Sequence, residues 1–134
     1  MTAPVAFGDI VTALAEHLET LLPTYGIAVP VVASVPATRP KRFVRVANPG
    51  GSQGNIVTDR PRIVCECWDV TGAGASDLAR VVRALVSAAA PGRVGGIWVD
   101  RVVDLGRAYS EDPGTKLPRY LVSAELHVRG EELT

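Results

Sequence analysis

The chain is poor in the residues that carry most chemistries. Its 134 residues include two cysteines and two histidines, and a structural zinc would need four ligands drawn together from them. Cys65 and Cys67 stand two apart in an expected strand, so both side chains leave the same face, too parallel for a relaxed disulfide. Buried, reduced thiols with no metal or redox role are the expectation. Fourteen bases balance fourteen acids, so no global field draws the protein to nucleic acid or to an anionic membrane. The longest apolar stretch, residues 27–37, falls short of a membrane span and is broken by Pro30 and Pro36. The opening residues lack the basic and apolar regions of a signal peptide, and a protein that stays in the cytoplasm where it is made is expected.

Catalytic signatures are missing as well. Residues 71–77, Thr-Gly-Ala-Gly-Ala-Ser-Asp, mimic the opening of a dinucleotide fingerprint. Asp77, however, stands at the third glycine position, where its carboxylate would repel a pyrophosphate. A flexible turn with Ser76 or Asp77 capping the next helix is the expectation. The glycine-rich residues 48–55 lack the Gly-Lys-Ser/Thr ending of a phosphate-binding loop. There is no Gly-x-Ser-x-Gly elbow, no His-Glu-x-x-His helix, and no acid pair fixed in a pocket. No catalytic residue, cofactor or metal is expected, and the protein reads as no enzyme.

What is present is a pattern of helices and strands. Phe7, Ile10, Val11, Leu14, Leu18, Leu21 and Leu22 recur at helical spacing, opposite Asp9, Thr12, Glu16, Glu19 and Thr20, and Pro23 stops the helix. His17 borders the apolar stripe with no partner acid or nucleophile placed beside it. Residues 27–33 are β-branched but contain Pro30, which points to an edge strand or an extended arm. Residues 43–47 form a regular strand, residues 48–55 a mobile loop, and residues 62–70 a further strand. A second helix over residues 76–90 buries Leu78, Val81, Val82, Leu85 and Val86 and is ended by Pro91 and Gly92. Two strands follow, residues 97–103 and 119–129, joined by a Pro/Gly/charge loop. The order is α-β-β-β-α-β-β: a single α+β domain over residues 1–134, its mainly antiparallel mixed sheet carrying both helices on one face.

Alternation assigns the faces. Ile63, Cys65, Cys67, Ile97, Val99, Val103, Tyr120, Val122, Ala124, Leu126 and Val128 face the helices. The opposite face then presents Glu66, Trp68, Trp98, Asp100, Leu121, Glu125 and Arg129. Two tryptophans among alternating charges have the composition of a subunit interface, unless a bulge inverts the sides. Of the fourteen bases twelve are Arg, and six bases crowd residues 39–62 against the single acid Asp59. That excess suits an anion-facing patch or plain solubility, and solubility is the expectation.

Several segments together resemble the tail terminator proteins of long, non-contractile phage tails. They are the strand Cys65-Glu66-Cys67-Trp68, the helix after it, the acid-Pro-Gly loop of residues 110–116, and the Pro118-Arg119-Tyr120 strand closing in His127-Val128-Arg129-Gly130. The resemblance covers residues 61–130 and implies a ring-forming virion subunit that assembles in the host cytoplasm. Its ring, a hexamer by analogy, would cap the tail tube at the head-proximal end, stop tube polymerisation and offer a surface for head-tail joining. The implied partners are other copies of the chain, the tail tube protein and a head-side connector protein. Genomic DNA would pass through the ring without sequence-specific binding, and no membrane is involved. On that reading Glu66, Trp68, Trp98, Asp100, Arg119, Glu125 and Arg129 are candidates for neighbour contact, and Arg119 orders the adjacent loop or bridges subunits. Gln53, Asn55, Arg60, Arg107, Tyr109, Glu111, Asp112 and Lys116 are candidates for contact with tube or connector.

Alternatives are another neck or head-tail connector component, and a small-ligand-binding or enzymatic α+β domain with a polar pocket between the sheet and the glycine loops. A nucleic-acid module on the residue 39–62 patch is a third alternative; zero net charge and the scarcity of aromatics beside those arginines count against it.

Overall fold

The computed structural model describes residues 3–134. A two-residue strand β1 (Val5–Ala6) precedes helix α1 (Ile10–Leu21). Asp9 caps this helix, accepting the Thr12 amide and hydroxyl at 3.2 and 2.7 Å. Pro23 does end the α-helix, but the chain tightens into a 3₁₀ turn over Leu22–Tyr25 before Gly26, at φ 79°, lets it reverse.

Strands β2 (Val31–Val32), β3 (Phe43–Gln53) and β4 (Thr58–Trp68) follow, then helix α2 (Gly72–Ser87). Strands β5 (Gly92–Val94), β6 (Ile97–Tyr109), β7 (Arg119–Arg129) and β8 (Glu131–Glu132) complete the chain. Six strands make one sheet in the order β2-β3-β4-β7-β6-β5, while β1 and β8 pair apart from it. All pairings in the six-stranded sheet are antiparallel except β2 with β3, so the sheet is mixed and mostly antiparallel. The fold class is α+β, as expected.

Both helices lie on one face. Leu14 and Leu18 of α1, and Leu78, Ala79 and Val82 of α2, share one core with Val44, Val46, Ile63, Cys65, Cys67, Val99, Val122, Ala124, Leu126 and Val128. Most of these side chains are wholly withdrawn from water, and each fully buried aliphatic contributes roughly 1.5–3 kcal/mol. The thiols are free and buried; desolvation pushes Cys65 up to about 12 and Cys67 well above the usual range, which makes both inert.

Five expectations are corrected. Residues 48–53, expected in a mobile loop, continue β3: Gly50–Gln53 pair with Arg62–Asp59 across a hairpin whose turn is tightened by Asn55. The Asn55 side-chain oxygen accepts the Val57 and Thr58 amides, each at 2.9 Å. Helix α2 begins at Gly72, with Thr71 and neither Ser76 nor Asp77 as its cap; the Thr71 hydroxyl accepts the Gly74 amide at 3.0 Å. Val81 is half-buried. Strand β6 runs to Tyr109, six residues past its expected end, and carries irregularities between Val99 and Arg101 and between Asp104 and Gly106. The first of these turns Val102 to the helices and leaves Val103 paired with Glu125 on the far face.

Candidate interaction surface

The sheet face away from the helices is built by one side of each long strand. Its β3/β4 end is closed by a second, smaller core. Phe43 and Trp68, direct neighbours across β3 and β4, stack with ring centroids 4.4 Å apart and 7° between planes. The Arg39 guanidinium lies 5.7 Å from the Phe43 centroid and 5.3 Å from that of Trp68, and Arg119 lies 5.5 Å from Trp68. Trp68 is 2% exposed. It does face away from the helices, but segments from far along the chain cover it, so it is no anchor for a neighbouring subunit.

Asp112 fastens that cover. One of its carboxylate oxygens accepts Arg39 Nη2 at 2.7 Å and Trp68 Nε1 at 2.9 Å; the other accepts the Gly114 amide at 2.9 Å. Burial alone would raise this carboxyl, but donors from Gly114, Arg39, Trp68 and Thr115 outweigh it and hold the group well below the usual carboxylate range. The loop closes on itself through the Asp112 amide on the Leu117 carbonyl and the Lys116 amide on the Asp112 carbonyl. Lys116 sits at φ 62° at the bend. Arg119 binds the loop from below, donating to the Ser110 carbonyl at 2.9 Å and the Ser110 hydroxyl at 3.2 Å. Arg119 therefore orders the loop. Asp112, expected at an exposed contact, is a buried fastener instead, while Glu111 and Lys116 remain exposed.

Beside this core runs a charge ladder. Glu66 lies between Arg45, at 3.2 Å, and Arg119, at 3.6 Å, and Asp69 pairs with Arg42 at 2.9 Å. The Arg39, Arg42 and Arg45 members of the basic patch are thus each matched to an acid, supplied by the 110–118 loop, by the residue following β4 and by β4 itself. Further along the same face Glu125 holds His127 at 3.0 Å. Arg129 reaches Asp100 at 2.8 Å, and Asp100 also accepts Trp98 Nε1 at 2.9 Å. The Arg129 hydrogen bond is the main cause of the lowered Asp100 carboxyl. Trp98 is half-buried, with Arg93 and Arg129 5.9 and 6.0 Å from its centroid. Of the two tryptophans, Trp98 alone keeps an accessible edge.

The remaining candidates separate into two groups. Gln53, Asn55 and Arg60 surround the projecting β3–β4 hairpin, all exposed, next to the apolar tip residues Ile56 and Val57, 69% and 49% exposed. Arg107 and Tyr109 belong to β6 and point to the helix side. Arg107 donates to the Ser76 carbonyl at 3.1 Å and lies 4.8 Å over Tyr120, which Tyr109 meets edge-on at 5.2 Å. Arg107 is therefore fixed to α2 rather than offered on a loop. A cavity of about 760 Å³ opens at the Trp98 end, between β1, β8 and the β5–β6 turn, lined by Phe7, Ile97, Trp98, Leu133, Arg93 and Arg129 among others.

Sequence reasoning missed Phe43 as the stacking partner of Trp68 and Asp112 as its hydrogen-bond acceptor. The strand register implied by the face assignment was the one signal for the first, and nothing local signals the second. Among the described residues there is no group of three or more His, Cys, Asp or Glu side chains placed to hold a metal, and no helix long and apolar enough to cross a membrane. Compared with known proteins, the chain matches no family model and no curated protein.

Proposed function

We propose that this chain is a structural recognition subunit of the phage tail-terminator kind, a non-enzymatic protein that forms a ring with copies of itself and docks on a tube. The observation that carries the reading is the rigid presentation of the 110–118 loop, fastened through Asp112 and Arg119. A loop ordered before contact loses little entropy on docking, which suits a protein whose work is binding. Support also comes from the projecting hairpin, whose exposed Ile56 and Val57 stand beside Arg60 as an apolar tip with a charged flank. The ring would be a closed heterologous assembly, each subunit offering two different surfaces to its two neighbours. Glu111 and Lys116 on the loop, and Gln53, Asn55 and Arg60 on the hairpin, are the axial contacts in this reading; Trp98, Asp100, Glu125 and Arg129 remain for neighbours.

Native mass across a concentration series at moderate salt tests it. A species of ring size, growing with concentration, is expected; a monomer or a closed dimer throughout would overturn it.

A second reading, a small-ligand-binding domain, has the cavity beside Trp98 in its favour, where an indole and the Arg93 guanidinium meet an apolar wall. It predicts a monomer or dimer, and the same measurement separates the two.

A further inference from the structure

The six-stranded sheet is open on both sides. On one side β2 pairs only with Val44 and Arg45, so residues 46–53 of β3 have no strand beyond them among the described residues. On the other, β5 pairs only with Ile97, Trp98 and Val99, leaving residues 101–109 of β6 without an outer partner. Edges of this length present rows of backbone donors and acceptors to another strand, interrupted on β3 at Pro49, which has no N–H, and at Gly50, whose amide donates to the Asn48 side-chain oxygen at 3.1 Å. Residues 48–53 are all exposed, as are Arg101, Asp104, Leu105, Arg107, Ala108 and Tyr109.

The two open stretches match in three respects. They lie at the same height: through the ladders, Val46 and Arg107 both align with Val122 of β7, and Gly50 and Val103 with Glu125. They bend at the same height, because the β3 irregularity between Ala47 and Gly50 and the β6 irregularity between Asp104 and Gly106 both fall beside Ser123 to Glu125. Their directions also suit each other. Three successive antiparallel pairings, β3–β4, β4–β7 and β7–β6, leave β6 running opposite to β3. A second copy set alongside in the same orientation therefore meets β6 with its β3 in the antiparallel sense, which continues the alternation of the sheet. β5 fills the place beside Val99, at the height of Gln53, and β2 the place beside Arg45, at the height of Ala108, so the clear middle of the two edges is residues 46–52 of β3 and residues 101–107 of β6.

We infer that neighbouring copies of this chain join edge to edge, residues 101–107 of β6 in one copy pairing with residues 46–52 of β3 in the next. The inference rests on the ring reading and specifies its neighbour contact as a continued sheet. Such a contact is head-to-tail and uses both open edges of every copy, whereas a two-fold pairing of β6 with β6 would leave every β3 open.

Backbone hydrogen exchange, read segment by segment on concentrated and diluted protein whose native mass is measured in parallel, tests this. In the ring-sized species, amides within both 46–52 and 101–107 are expected to slow by about tenfold or more relative to the dilute form. A ring-sized species with no slowing in either stretch overturns the edge pairing and leaves the ring standing. A dimer protected only at 101–107 overturns both, as does a monomer at every concentration. Ser52→Cys and Arg101→Cys, which substitute positions at matching heights, supply an independent check with a short bismaleimide linker. Cross-links between the two variants are expected when they are mixed; cross-links only between two copies of Arg101→Cys, and none between Arg101→Cys and Ser52→Cys, overturn the head-to-tail arrangement.

Discussion

Replacing Asp112 with alanine removes the one acceptor that ties Arg39, Trp68 and the 110–118 loop together. Trp68 is 2% exposed, so its indole N–H would lose its partner without gaining water, a cost of about 1–3 kcal/mol. The Arg39 side chain is 30% exposed and recovers part of its hydration, so its lost ion pair adds about 1 kcal/mol. Asp112→Ala should therefore cost about 3 kcal/mol in urea unfolding followed by far-ultraviolet circular dichroism, and lower the melting temperature by roughly 10 °C. Asp112→Asn keeps an acceptor for the indole but loses the charge facing Arg39, and should cost about 1–2 kcal/mol. Wild type and Asp112→Asn differ further in acid. Because the folded carboxyl is held below its unfolded value, its stabilisation is present above about pH 4 and fades as pH falls through the folded value. The gap between wild type and Asp112→Asn should accordingly narrow from pH 5 towards pH 2. An alanine variant within about 0.5 kcal/mol of wild type, or a gap that widens in acid, would refute this account of the loop.

Trp98→Ala should weaken association of the purified protein, seen as a shift of the native-mass concentration series, while costing less in unfolding than Trp68→Ala, since Trp98 keeps an accessible edge and Trp68 does not. Leu126→Ala, in the helix-side core, should cost about 2–5 kcal/mol of folding stability with no separate effect on association. At Gly51, φ is 122° and an added methyl would overlap the Arg60 carbonyl and the Arg62 amide. Gly51→Ala should therefore lose more than about 1 kcal/mol and loosen the β3–β4 hairpin in hydrogen exchange. Neither Cys65 nor Cys67 should react with a maleimide in native buffer, and both should label at the rate of global unfolding; fast labelling of either would contradict their burial.

Periodicity made the helix-side core legible. The seven-residue apolar stripe of the first helix and the alternation of β4 and β7 depend on each segment alone, and burial follows them: Leu14, Leu18, Cys65, Cys67, Val122, Ala124, Leu126 and Val128 are all buried where expected. The misplacements have local causes. Asn48, Pro49, Gly50 and Gly51 read as a loop by composition, yet Gly50 and Gly51 pair with Arg62 and Pro61 of β4 and Asn48 and Pro49 form an irregularity within the strand, with Gly51 taking the backbone angle that other residues resist. Val103 and Val102 exchange faces because an irregularity between Val99 and Arg101 shifts the count by one, and no residue type in that stretch announces it.

The far face was half legible for a different reason. Alternation put Trp68 on the side away from the helices, but what lies over it is decided by contacts 44 and 73 residues apart in sequence, Trp68 to Asp112 and Arg39 to Asp112. A single sequence carries no signal at such separations. The consequence reaches function. The covered end of the face belongs to folding, with Phe43, Trp68, Arg39 and Asp112 spent on holding two loops to the sheet. The surfaces left for partners are then the Trp98 end, the hairpin tip and the two open edges. Among these the edges alone are matched to each other in height, bend and direction, and an assembly that uses one of them has the other already in place for the next copy.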